Sequence, residues 1–272
     1  MRLSKYIVEY KEYKENLGRG KGITMEEAIK MAPKFSDAIE SDTVITRASR
    51  TADQHEYYLI DPKKSKQKRV SYNTYNYYTL IMDNSSAWKK YPKRSESVIA
   101  SMNKKCGIKY PMRVLPKNGS RIGICSNVDL WFSFENSFDM NMDRVNNTLD
   151  DLFGFTIDSI KRFDKDLKTI KSACKIFDTW YKNEKNVKDW FERRFSSRFG
   201  LSNVEELLKG YKGDLYKMIE SKLNPEYNNF KVIKTSSLNS VPIYGDDIRE
   251  VWTDAESLMV RCDEWWKFYK EV

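Results

Sequence analysis

Histidine is almost absent from this sequence: His55 stands alone among 272 residues. A Ser-His-Asp triad has to run through it, and no G-x-S-x-G elbow occurs. Cysteine is scarce too. Cys106, Cys125, Cys174 and Cys262 are scattered with no C-x-x-C pair. The close-paired ligands of a structural zinc site are therefore missing, and four ordinary reduced cysteines with no metal are expected. Phosphate-cradling loops are lacking as well. GRGKG at 18–22 comes nearest to a P-loop, but no strand precedes it and no Ser or Thr follows its lysine. No apolar run is long: YYTLIM at 77–82 falls far short of a membrane span. The N-terminal MRLSKYIVEYKEYKE is charged throughout, unlike a signal peptide. A cytoplasmic protein without a membrane partner is expected.

What is present points to a globular chain. Hydrophobic residues make up 40% and charged residues 32%, enough for a substantial core under a well-solvated surface. The net charge is +9, from 48 Lys and Arg against 39 Asp and Glu. Such a balance favours a polyanionic partner, nucleic acid being the commonest. Lysine-rich usage in an AT-rich genome produces the same excess.

Periodicity divides the chain. Thr24 stands three residues before Glu27, a capping box, and Ala28, Ile29, Ala32, Phe35 and Ile39 follow at helical spacing. Pro33 should kink or split that helix. TVITRA then reads as a strand, and DPKKSKQKR at 61–69 as a basic loop that solvates or tracks phosphates. YYTLIMDN at 77–84 suits a strand or a short helix, and RSESVIAS at 94–101 a strand. YPMRVLP, NGS and RIGIC read as strand, turn and strand. Near residue 145 the period changes. Ile157 to Phe177 predict one long amphipathic helix, Val187 to Phe195 a second and Val204 to Leu223 a third. FKVIKT at 230–235 and SLMVRC at 257–262 return to strand character. The expectation is one α+β domain over 1–272, β-rich at about 40–135 and 228–262, with a helical insertion at about 145–225.

Three polar stretches stand out against this frame. Arg47 ends the strand in ITRAS. YPKRSESVIAS opens a later strand with Ser95 and Ser97 on one face. YGDDIREVWTDAESLMV places Glu250 just before the final strand pair. In order and local setting these residues resemble the Arg–Ser–Glu class of the ADP-ribosyltransferase superfamily, over roughly 24–135 and 228–262. The YPMRVLPKNGSRIGI segment looks like that family's continuation after the serine strand. The resemblance implies a core of two packed, mainly antiparallel sheets with an N-terminal helix, and NAD as substrate with no metal. Glu250 would stabilise the cationic ribose that forms when the nicotinamide bond breaks. Ser95 would orient Glu250, and Arg47 with Ser97 would hold NAD, a guanidinium suiting a diphosphate better than an ammonium. Trp88, Tyr91, Trp131 and Phe132 are candidates to stack on nicotinamide.

The departures carry information. T-R-A and R-S-E-S replace the family's usual Y-R-G and S-T-S. Ile248 stands where arginine-modifying members carry an acid, which disfavours an arginine acceptor. His55 follows its strand instead of lying on it, so the diphtheria type fits less well. Tyrosines and lysines interleave in KRVSYNTYNYY at 68–78, able to stack bases and hold phosphates, or else to fill a core. The expected acceptor is an RNA or DNA base ahead of a host protein. The expected role is a toxin or a phage-conflict effector, with WYKNEKNVKDWFERRF at 180–195 open to nucleic acid or to an antitoxin-like inhibitory partner. The alternative is a non-catalytic nucleic-acid-binding or virion protein on a degenerate transferase fold.

Overall fold

The computed structural model describes residues 20–48, 55–65, 76–103, 111–141, 144–145, 148–149, 166–183, 206–242 and 248–272. The expected helix at 187–195 lies outside them, as do residues 157–165 of the expected long helix and most of the tyrosine-rich stretch at 68–78.

The architecture is α+β around a large antiparallel sheet. After β1 (Lys21–Ile23), Thr24 accepts from the Glu27 backbone while the Glu27 side chain accepts from the Thr24 backbone, and α1 (Met25–Met31) begins. Pro33 does split this helix. A 3-10 segment, Ala32–Phe35, intervenes before α2 (Ser36–Ile39). Then come β2 (Val44–Ala48), β3 (Tyr57–Ile60) and α3 (Tyr77–Asn84), the last resolving YYTLIMDN as helix. β4 (Val98–Asn103), β5 (Pro111–Pro116), β6 (Arg121–Ile124) and α4 (Glu135–Phe138) follow. The later elements are α5 (Leu167–Lys182), α6 (Leu215–Lys222), β7 (Lys231–Lys234), β8 (Arg249–Thr253), β9 (Ser257–Arg261) and α7 (Trp265–Glu271).

The nine strands among the described residues run in the order β1-β3-β9-β5-β2-β4-β8-β6-β7, all neighbours antiparallel. Two separate sheets were expected, but β2 joins the halves. Its Thr46 is level with Ser101 of β4 on one side and with Arg113 of β5 on the other. Adjacent strands in sequence are mostly not adjacent in space. β5 and β6 flank the expected turn, where Gly119 takes φ +73, yet β5 pairs with β2 and β9 while β6 pairs with β7 and β8. Likewise β8 and β9 are not a pair.

Pleating sends alternate residues of β4 and β8 to opposite faces. Ile99 and Trp252 enter one apolar cluster with Ile170 and Phe177 of α5 and Leu215 and Ile219 of α6. Val98, Ala100, Met102 and Val251 enter a second with Phe35 and Phe268. The helices depart from their expected lengths for local reasons. Asp166 is an extended N-cap whose carboxylate accepts from Thr169, so α5 begins there. Gly210 and Gly213, both at φ +88, break the period before α6, whose cap is Asp214. Cys125 and Cys174 are free and buried, whereas Cys262 is disulfide-bonded, which corrects the expectation of four reduced thiols. No helix among the described residues is long and apolar enough to cross a membrane.

Candidate functional site

Glu250 lies inside β8, not in the turn before it. Its backbone is clamped on the β6 side, where its N–H donates to Val128 (3.1 Å) and its carbonyl accepts from Cys125 N–H (2.9 Å). On the other side it is level with Ser101. This pairing fixes the face on which the carboxylate emerges, the face shared with Trp252.

The guanidinium that meets Glu250 belongs to Arg94. Its Nη2 lies 2.5 Å from Oε1, and the side chains are 6% and 19% exposed. Arg94 is delivered by a 3-10 turn, Arg94–Glu96, where an extended strand start was expected. Asp83 at the end of α3 makes that turn: its two oxygens accept from the backbone N–H of Arg94 (2.7 Å) and Ser95 (3.1 Å). The guanidinium also lies 5.5 Å from the Trp252 ring centroid. Trp252 is held in turn by its indole N–H on the Pro92 carbonyl (2.9 Å) and by near-parallel Tyr91.

A second carboxylate stands close by. Asp129 follows Val128 in the loop that pairs with Glu250, and its carboxylate accepts from Phe132 N–H (2.9 Å). Burial pushes its pKa up to about 6, with the Glu250 charge adding to the rise and Arg94 opposing it. Cys125 Sγ is 3.9 Å from Glu250 Oε1. Burial, then the Glu250 charge, raises that thiol far above its ordinary range, so it stays protonated. One cation and two carboxylates thus surround a half-buried strand position. Such a group suits stabilising a positive centre beside the Glu250 carboxylate, with Asp129 able to exchange a proton near neutrality. Among the described residues no three His, Cys, Asp or Glu side chains gather to hold a metal.

The other expected residues sit as follows. Ser95 is buried in the Arg94 turn, and Ser97 is fully buried with its hydroxyl donating to the Lys93 carbonyl (2.6 Å). Neither serine starts on a strand, since β4 begins at Val98. Arg47 is one step past Thr46, so alternation directs it to the face opposite Glu250, and its Nη1 donates to the Ile99 carbonyl (3.4 Å). Trp88 is 5% exposed and donates to the Leu223 carbonyl (2.8 Å). Tyr91 is 8% exposed and donates to the Phe230 carbonyl (3.0 Å), burial pushing its pKa up to about 12. Both rings sit in the aromatic core with Phe134, Phe230 and Trp252. Trp131 packs edge-on against Tyr78, while Phe132 is 37% exposed. Sequence reading missed Arg94 and Asp129. The first sits inside the quoted serine motif. The second carries no signal, because only the β6–β8 pairing brings it to Glu250.

Comparison with protein families, with curated proteins and with solved structures returned no match to this chain.

Proposed function

We propose that the chain moves ADP-ribose from NAD to a macromolecular acceptor, nucleic acid ahead of protein, as a cytoplasmic toxin or phage-conflict effector. One observation supports this above all. The strand bearing Arg47, the strand that Ser95 and Ser97 precede and the strand bearing Glu250 are consecutive neighbours, β2-β4-β8. In this reading the ladder corresponds to the two sheets of a transferase core joined at β2, and the helices between about 145 and 225 are the insertion.

The step is heterolysis of the nicotinamide–ribose bond. Its electron pair leaves with nicotinamide, and the ribose C1′ becomes oxocarbenium-like. The Glu250 carboxylate stabilises that charge, and an acceptor nucleophile closes the new bond at C1′ as its proton passes to solvent. Arg94 takes the orienting role first given to Ser95, because it holds Oε1 directly. Nicotinamide release from NAD by the native chain and by Glu250→Gln tests the reading. A fall of about 10²–10³-fold in the variant is expected, whereas no release by the native chain with RNA, DNA or protein acceptors overturns it.

A second reading has its own observation. Arg94 already engages Glu250, and Trp88 and Tyr91 are buried with their donors on backbone carbonyls. A non-catalytic nucleic-acid-binding protein needs nothing more from those groups. It predicts salt-dependent retention of RNA or DNA with no nicotinamide release.

A further inference from the structure

Arg113 Nε and the Tyr57 hydroxyl are buried and meet no hydrogen-bond acceptor among the described residues. They share a sheet face. Tyr57 is level with Val260, and Val260 with Arg113. Residues directly opposite one another on paired strands point the same way. Helix α7 packs against both side chains, with the Arg113 guanidinium 3.9 Å from the Trp265 ring centroid and Tyr57 6.1 Å from Phe268.

The local acids stand near enough to Tyr57 to add, behind burial, to the rise in its pKa, but each is paired with a cation. Glu56, Asp263 and Glu264 all pair with Arg261, and Glu264 also with Lys267. Arg261 is level with Met112, so it stands on the other face from Arg113. Arg113 is half-buried, with no counter-charge among the described residues. Burial alone lowers its pKa to about 10. Taking a guanidinium out of water with no anion to meet it is costly, and the sheet keeps it there.

The same row runs on to the candidate site. Arg113 is level with Thr46, Thr46 with Ser101 and Ser101 with Glu250. Three strand spacings separate the ends, roughly 14 Å between backbones. We infer that Arg113, with Tyr57, binds a phosphate-class anion, and that this anion is the diphosphate of NAD, with Thr46 and Ser101 lining the path to Glu250. The second half rests on the transferase reading above. Chemistry favours phosphate: a stacked, pre-oriented guanidinium offers a fork of donors, and a phenol adds another.

The test is calorimetric titration of the full chain with inorganic pyrophosphate and with ADP-ribose, in native, Arg113→Gln and Tyr57→Phe forms. Native protein should bind both ligands. Arg113→Gln should weaken each at least tenfold, and Tyr57→Phe several-fold with its ring packing intact. If Arg113→Gln does not fold, Tyr57→Phe and Arg113→Lys, which keeps the charge without the fork, carry the comparison. ADP-ribose bound equally by native and variant chains overturns the Arg113 site and leaves the transferase reading standing. Pyrophosphate binding that depends on Arg113, without nicotinamide release, keeps the anion site and removes the transferase reading. Binding of neither ligand overturns the inference.

Discussion

Arg94 and Glu250 are 156 residues apart in the chain, and their charged groups touch where only 6% and 19% of the side chains meet solvent. Removing one member of such a pair strands the other charge. Arg94→Ala should therefore lower unfolding free energy by about 3 kcal/mol. Glu250→Gln keeps an acceptor for the guanidinium and should cost about 1–2 kcal/mol. Urea denaturation at neutral pH measures both. A loss below about 1 kcal/mol for Arg94→Ala would mean that solvent already screens the contact.

Asp129 gives the fold a pH dependence of definite sign. Its folded pKa of about 6 exceeds its ordinary 3.8, chiefly through burial. Between those values the folded chain holds the proton more than the unfolded chain does, so stability falls as pH rises through the window. The contribution is present below the unfolded value and is gone above the folded one. Asp129→Asn should flatten this slope between pH 4 and 6 and leave the protein more stable than native at pH 7. Equal slopes for the two chains would contradict the burial of this carboxyl.

Local order was legible where short-range chemistry decides it. The Thr24–Glu27 cap, the Pro33 break and the strands at TVITRA and SLMVRC all follow from neighbours within a few residues. What sequence could not show was pairing. Nothing near β5 says that it joins β2 and β9 and not β6, because a turn fixes a reversal of direction but not a partner. The site inherits this. Glu250 is singled out by sequence, while Arg94 and Asp129 reach it through a 3-10 turn and a long-range strand pairing. Arg47 shows the converse: one residue of register decides which face a side chain takes, and its motif is silent on register.

Gly123 tests the floor of the site. It is level with Trp252, and a Cβ there would overlap the indole ring. Trp252 is 1% exposed and anchored to Pro92, so it has little room to give. Gly123→Ala should destabilise by about 1–3 kcal/mol. It should also disturb the Arg94–Glu250 pair, seen as a smaller added cost when Arg94→Ala is introduced on top. Simple additivity of the two would show that the indole does not support the pair.

Trp88 separates packing from ligand contact. Its ring lies 4.9 Å from Tyr91 and 5.0 Å from Phe230 by centroids. Trp88→Phe keeps an aromatic but drops the donor to the Leu223 carbonyl, so a loss of about 1–3 kcal/mol is expected. ADP-ribose and nicotinamide affinity should stay within twofold of native. A tenfold loss of nicotinamide affinity in a stably folded variant would return Trp88 to the ligand.

Arg47 is the position at which motif and register disagree most sharply. A motif-based assignment makes it the guanidinium that holds NAD. Register makes Met112 its neighbour and sends it away from the row of Thr46, Ser101 and Glu250. Its Nη1 reaches the Ile99 carbonyl, which ties β2 to the backbone of β4. Arg47→Ala should then act on stability, by about 1 kcal/mol for a hydrogen bond to a charged group that is partly exposed. It should leave the dissociation constant for ADP-ribose within twofold of native by calorimetry. A tenfold weakening without a change in denaturation midpoint would place this guanidinium on the ligand after all, and would mean that β2 turns its end towards the opposite face of the sheet.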